Sequence, residues 1–154
     1  MPKGPKIIIG WWEYLHLPAL HKRSIKAKID TGARTSALHA EDIEVFKHRG
    51  ISKVRFTIYP NQKDRLNRKQ VIADLIDQRT IKSSMGHTSF RPVIETPVCI
   101  GGLTFDAELT LVNRDLLGFR MLLGRQALKQ HFLIDPKKTF IERNNHEDCY
   151  LIKK

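Results

Sequence analysis

Residues 25–40, Ile-Lys-Ala-Lys-Ile-Asp-Thr-Gly-Ala-Arg-Thr-Ser-Ala-Leu-His-Ala, decide how the rest of the chain is read. Ile25, Ala27 and Ile29 alternate with Lys26 and Lys28, the period of two that marks a strand with one buried face. The strand runs straight into Asp30-Thr31-Gly32-Ala33: an acid, a hydroxyl, a residue free to take positive φ, and a small residue. Asp and Gly also gather in surface turns for conformational reasons alone. The strand in front sets this turn apart, because it holds the carboxylate on a rigid element.

A second stretch, far downstream, completes the pattern: Met121-Leu122-Leu123-Gly124-Arg125, followed by Gln126 to Phe132, where a helix is expected. An Asp-Thr-Gly-Ala turn after an apolar strand, with two aliphatics and Gly-Arg much later, resembles the retropepsin-like aspartic proteases. The chain is similar in particular to a bacterial branch of that clan labelled "ATP-dependent zinc protease". The similarity rests on IGW at 9–11, AKIDTGARTSALHA at 27–40, RPVI at 91–94, ELTLVNR at 108–114 and MLLGRQAL at 121–128.

The resemblance implies a mainly β fold, a small closed acid-protease barrel with one short C-terminal helix, in a single domain over 1–154. It implies peptide-bond hydrolysis by two aspartates sharing a proton. The chain has one Asp-Thr-Gly and is too short for two lobes, so the second Asp30 must come from a second copy. Thr31 would brace the two loops across the dimer axis, Gly32 would let the backbone approach substrate, and Ala33 would leave room beside it. Leu122, Leu123, Gly124 and Arg125 would support the loop from beneath. A hairpin at about 79–95 stands where the clan places a flap, with Ser84, Met85 and Gly86 at its substrate-facing tip. Relatives are associated with ATP-grasp glutamate ligases, which points to acidic peptides or protein tails as substrate.

One departure stands out. Retroviral members follow the Asp-Thr-Gly-Ala turn with an acid that pairs with the Gly-Arg arginine; here the position is Arg34. Arg125 is therefore expected to find another acid, with Asp115, Glu108 and Asp135 as candidates. Arg34, turned into the cleft, is expected to select acidic side chains.

Neither cofactor in the branch's label has support in the residues. The chain has no HExxH and no GxxxxGK[ST], and its histidines (16, 21, 39, 48, 87, 131 and 146) form no i, i+4 helical pair. No metal or other cofactor is expected, with His39 as the best lone metal candidate and a hydrogen-bonded structural role favoured for it. Cys99 and Cys149 lie outside any CxxC spacing and are expected as free thiols.

Composition bounds the rest. Hydrophobic residues make up 41% of 154, enough for one core, and no run approaches a membrane span. The opening apolar run, Ile7 to Ile9, is too short for a signal peptide, so the cytoplasm is the expected compartment. Lys and Arg number 27 against 16 Asp and Glu, a net +11, which favours acidic partners. Two alternatives share that charge: a catalytically silent binding module for acidic peptides, and a nucleic-acid-binding β-barrel. The second lacks interleaved aromatics and is disfavoured.

Strands are expected at Lys6 to Trp12, in a short segment at Glu13 to Leu20, and at Lys53 to Tyr59, Gln70 to Asp77 and Arg120 to Leu123. Hairpins are expected at 79–95 and around Gly101-Gly102. His21 to Ser24 reads as a charged loop, Ala40 to Lys47 as helical turns or an irregular edge, and Phe132 to Ile134 with Thr139 to Glu142 as barrel-closing strands. The tail at 143–154 is left open between an edge strand and loose chain.

Overall fold

The computed structural model describes residues 6–61, 65–82 and 85–139. Its centre is a seven-stranded sheet built from β2 (Trp12–Leu17), β3 (His21–Ile29), β4 (Ser36–His39), β8 (Asp77–Lys82), β9 (Thr88–Ile100), β10 (Leu103–Val112) and β11 (Met121–Leu123). The strand order is β10-β4-β11-β3-β2-β9-β8. Strand β9 also pairs with β10, so the sheet curls back on itself and β8 hangs from its outside. Closure comes from the length of β9: Val93 to Ile100 pairs with β10, and Thr88 to Val93 pairs with β8. The mainly β, small-barrel expectation holds.

Alternation along the strands fills this barrel. In β3, Ile25, Ala27 and Ile29 are buried, as the opening stretch predicts, while Lys26 lies outside over the rings of Trp12 and Phe119 at 4.4 and 5.1 Å. In β10, Ala107, Leu109 and Leu111 are buried on one face with Phe105 packed against the core. The β9–β10 turn places Gly101 and Gly102 at φ of 61° and 78°, the left-handed pair that a two-residue hairpin needs. Phe56, Leu15, Leu17, Ile94 and Met121 are among the fully buried side chains.

Two smaller sheets attach to the barrel. β5 (Glu41–His48), β6 (Ile51–Ile58) and β7 (Lys69–Asp74) form an antiparallel sheet with Val54, Phe56 and Ile58 turned inward. β1 (Ile7–Ile9) pairs in parallel with β12 (Phe132–Ile134).

Several local expectations need correction. Ala40 to Lys47 is not helical: Glu41–His48 is an edge strand on β6, and the register shift between Glu41 and Glu44, with Asp42 at φ of 53°, makes it the irregular edge of the two alternatives. His21 to Ser24 is part of β3, since Leu17 pairs with His21 and the hairpin turn lies earlier, at 18–20. The first strand does not run through the indoles. It stops at Ile9, and Gly10 makes a bend in which a Cβ would lie 2.8 Å from the Lys138 carbonyl carbon and 2.9 Å from Thr139 Cα. The Glu13 carboxylate, fully buried, accepts the Gly10 N–H at 2.7 Å and fixes that bend. Phe132–Ile134 does not close the barrel but pairs with β1. The helix is shorter than expected, α1 being Arg125–Leu128, because Phe132 is drawn into β12. Cys99 is disulfide-bonded instead of free. Cys149, the second strand of the 139–142 pair beyond Thr139, and the 143–154 tail lie outside the described residues.

Candidate active site

The Asp30 loop is built where β3 and β11 run side by side. Leu123 pairs in parallel with Ile29, and the Asp30 N–H donates to the Leu123 carbonyl at 2.9 Å. Asp30 is thereby fixed at the end of a strand, half-buried, while Thr31 and Gly32 are exposed. The turn closes through Ala33 N–H to the Asp30 carbonyl at 3.2 Å. Oδ1 of Asp30 accepts the Gly32 N–H at 2.9 Å, and among the described residues the carboxylate has no other hydrogen-bond partner. Gly32 is not in the left-handed region. Its role is close approach, since a Cβ there would stand 3.2 Å from Asp30 Oδ1.

The segment after β11 latches the loop from beneath. The first N–H groups of a helix have no partner within the helix. Here two of them are given to the loop: Arg125 N–H donates to the Ala33 carbonyl at 2.7 Å and Gln126 N–H to the Arg34 carbonyl at 3.1 Å. Gly124, fully enclosed, donates its N–H to Ser36 Oγ at 3.0 Å. Its Cα faces the loop backbone so closely that a Cβ would lie 2.6 Å from the Thr35 carbonyl carbon and 3.0 Å from the Ala33 oxygen.

Arg125 does not take the acid partner expected for it. Its Nη1 donates to the Thr31 carbonyl at 2.9 Å. The three candidate acids are engaged elsewhere. Glu108 pairs with Arg79 at 2.7 Å, Asp115 accepts the Gly118 N–H at 3.1 Å, and Asp135 accepts the Lys137 N–H at 3.0 Å. With Arg34 in the acid's place, a backbone oxygen serves as the acceptor.

Of the proposed residues, the structure brings Asp30, Thr31, Gly32, Ala33, Leu123, Gly124 and Arg125 into one hydrogen-bonded unit. Leu122 is half-buried beside Leu123. Arg34 is exposed and lines a cavity of about 530 Å³ with Arg79, Gln126 and the acids Glu95, Asp106 and Glu108. Charge there is mixed. Met85 is 83% exposed and Gly86 has φ of 86° at the end of the β8–β9 hairpin, while Ser84 is outside the described residues.

His39 is buried, with Nδ1 against the Arg114 carbonyl and Nε2 against Glu41 Oε2, both at 3.0 Å. Both ring nitrogens are engaged by protein groups. Glu41 also accepts from Arg65 Nη2 at 2.9 Å. Its carboxyl is held below its ordinary value by the Arg65 hydrogen bond first and His39 second, against a smaller desolvation effect. Among the described residues no group of three His, Cys, Asp or Glu is placed to hold a metal. No helix among them is long and apolar enough to cross a membrane.

Ser36 went unnoticed in the sequence although it supports the loop directly. The available signal was its position two residues before Leu38 on the buried face, where a hydroxyl requires a partner.

A barrel with an Asp-Thr-Gly loop latched by an aliphatic-aliphatic-Gly strand defines a retropepsin-like fold. The chain belongs to the RimB-like family, described as the retropepsin-like aspartic endopeptidase RimB, which it matches over residues 8–145. It is 44% identical over 135 residues to a "Probable alpha-L-glutamate ligase" of Shewanella pealeana, covering 88% of this chain and 30% of that protein. A protein of the same name from Desulfotalea psychrophila is 44% identical over 131 residues, covering 85% and 28%. The chain thus spans less than a third of the curated relatives it matches. Among solved structures, protein Lpg0085 of Legionella pneumophila aligns with a TM-score of 0.72 at 26% identity, over 88% of this chain and 98% of that one.

Proposed function

We propose that the chain is an aspartic peptidase that acts as a homodimer, each copy supplying one Asp30. The observation that carries this reading is the Asp30 loop itself. A carboxylate with one engaged oxygen stands at the end of a strand, on a loop held by the Leu123 carbonyl and by the backbone of 124–126. Thr31 and Gly32 beside it are exposed, open to a second copy.

In the dimer, two carboxylates about 3 Å apart share one proton, because like charges that close do not both ionise. The ionised one takes a proton from the water between them, and the protonated one donates to the substrate carbonyl oxygen. The water oxygen bonds to the carbonyl carbon. A proton then passes to the leaving nitrogen, and the carbon–nitrogen bond breaks. Thr31 braces the two loops, Gly32 and Ala33 leave space for the peptide, and the 79–95 hairpin, with Ser84, Met85 and Gly86, closes over it and excludes water.

The proposed substrate is an acidic, glutamate-rich peptide or protein tail. Support comes from the net charge of +11 and from relatives named as glutamate ligases, which also suggests a functional link to such a ligase. The reading places the protein in the cytoplasm beside that ATP-dependent partner.

A second reading, a silent binding module for acidic peptides, is favoured by one fact. The ligase-named relatives are more than three times as long as the matched region, so a similar region is one part of each. Cleavage of a mixed peptide library between about pH 4 and 8, wild type beside Asp30→Asn, separates the two. Oligomeric state is measured in the same buffers. Cleavage by a dimer that is lost in Asp30→Asn is expected. A monomer that cuts nothing, or cleavage indifferent to Asp30→Asn, overturns the peptidase reading.

A further inference from the structure

At the root of the β8–β9 hairpin lies a groove of about 430 Å³ between β5, β9 and the end of β10. Ile43, Val45, Phe90 and Leu111 form its apolar walls, with Val45 40% and Phe90 73% exposed. Arg91 and Arg114 supply its charge. The other polar side chains, Gln78, Ser89 and Asn113, are neutral, and among the described residues no carboxylate lines the groove.

Lys53, Arg55, Arg65 and Arg79 each pair with an acid. Among the described residues, Arg91 and Arg114 pair with none. Arg91 is half-buried, and its guanidinium is pushed down from its ordinary value by burial first and by the like charge of Arg114 second. The half-buried guanidinium of Arg91 thus shares one groove with that of the exposed Arg114, with no acid of the described residues lining it. Such a pair is relieved by a carboxylate, which accepts from guanidinium groups in a geometry few other anionic side chains match. Apolar walls beside a charged head fit an acid carried on a methylene stem.

We propose that the Arg91–Arg114 groove is a carboxylate-binding site that takes a glutamate side chain of an acidic peptide. This deepens the reading given above and rests on it for the choice of a peptide as ligand. It moves the selection of acidic residues away from Arg34, whose cavity carries three carboxylates of its own. The hairpin that bears the flap would then sense the substrate through its base, because Phe90 and Arg91 lie on the strand leading up to the tip.

The test is binding in the Asp30→Asn background, so that it does not depend on cleavage. An acetylated, amidated tetraglutamate is titrated against its tetraglutamine counterpart. Tetraglutamate is expected to bind, tetraglutamine at least about tenfold more weakly, and Arg91→Gln/Arg114→Gln to lose about tenfold for tetraglutamate. Arg34→Gln should bind as the parent does. Equal affinity of parent and double variant for tetraglutamate overturns the proposal. Amide chemical shifts of the unsubstituted protein give a readout independent of variant folding. Shifts centred on Val45, Phe90 and Arg91 support the site, and shifts confined to 34–37 and 126–127 refute it. Binding at the groove with no Asp30-dependent cleavage would sink the peptidase reading alone.

Discussion

Replacing Gly124 with alanine tests the latch beneath the Asp30 loop. The added methyl would stand 2.6 Å from the Thr35 carbonyl carbon and 3.0 Å from the Ala33 oxygen, with the Thr35 oxygen in its path. All three are backbone atoms, so no side chain can swing away to make room. Overpacking of a tight interior costs about 1–3 kcal/mol, and a rigid backbone neighbour puts this site near the upper figure. Relief by moving the loop would stretch the bonds from Arg125 N–H to Ala33 and from Gly124 N–H to Ser36, at 2.7 and 3.0 Å. At roughly 2–4 °C per kcal/mol for a chain of this size, about 3 kcal/mol lowers Tm by about 6–12 °C. Thermal unfolding followed by circular dichroism measures this, with Gln126→Ala, at an exposed neighbouring position, as the control. A Gly124→Ala protein melting within about 2 °C of wild type would refute the argument that loop and latch are packed backbone to backbone.

Ser36→Ala leaves the enclosed Gly124 N–H without its acceptor, now 3.0 Å away, and should cost about 1–3 kcal/mol in urea unfolding. Ser36→Thr, which keeps the hydroxyl, should recover part of that loss. Glu41→Gln removes a carboxylate whose folded pKa is depressed by Arg65 and His39. The stability from such a group is present above the unfolded glutamate value of about 4.3 and is lost as pH falls through the lower folded value. Wild type should therefore exceed Glu41→Gln in urea midpoint at pH 7, and the gap should close on acidification below that value. A gap that is constant from neutral pH to about pH 3 would show that the two contacts do not shift Glu41.

Sequence carried the Asp30 side of this site well because everything that shapes it is local or strongly patterned. The alternation of Ile25, Ala27 and Ile29 gave the strand, and Met121 to Arg125 gave the element that runs beside it. The register between them sets Leu123 against Ile29 and Met121 against Ala27, so that the buried residues of both strands share one face. Elements that form by recruitment were harder to see. β5 has an exposed, charged sequence with little periodicity, and it is a strand because β6 offers it a ladder. Phe132 could have continued the helix, but pairing with Ile7 draws it into β12.

The same distinction explains the arginines. Arg125 invites a search for a carboxylate because ion pairs are the partners that charge alone suggests. Its acceptor is the Thr31 carbonyl, an atom every residue carries, and no residue type could have announced it. Arg91 and Arg114 are separated by most of β9 and all of β10, and only the return of β10 along β9 brings them to one groove. An arginine's meaning here depends on what the fold sets opposite it. Opposite Arg79 it sets Glu108 and Asp77, which makes an internal ion pair. Opposite Arg91 it sets Arg114, a like charge in the same groove, and the glutamate side chain proposed for that groove would lie against both.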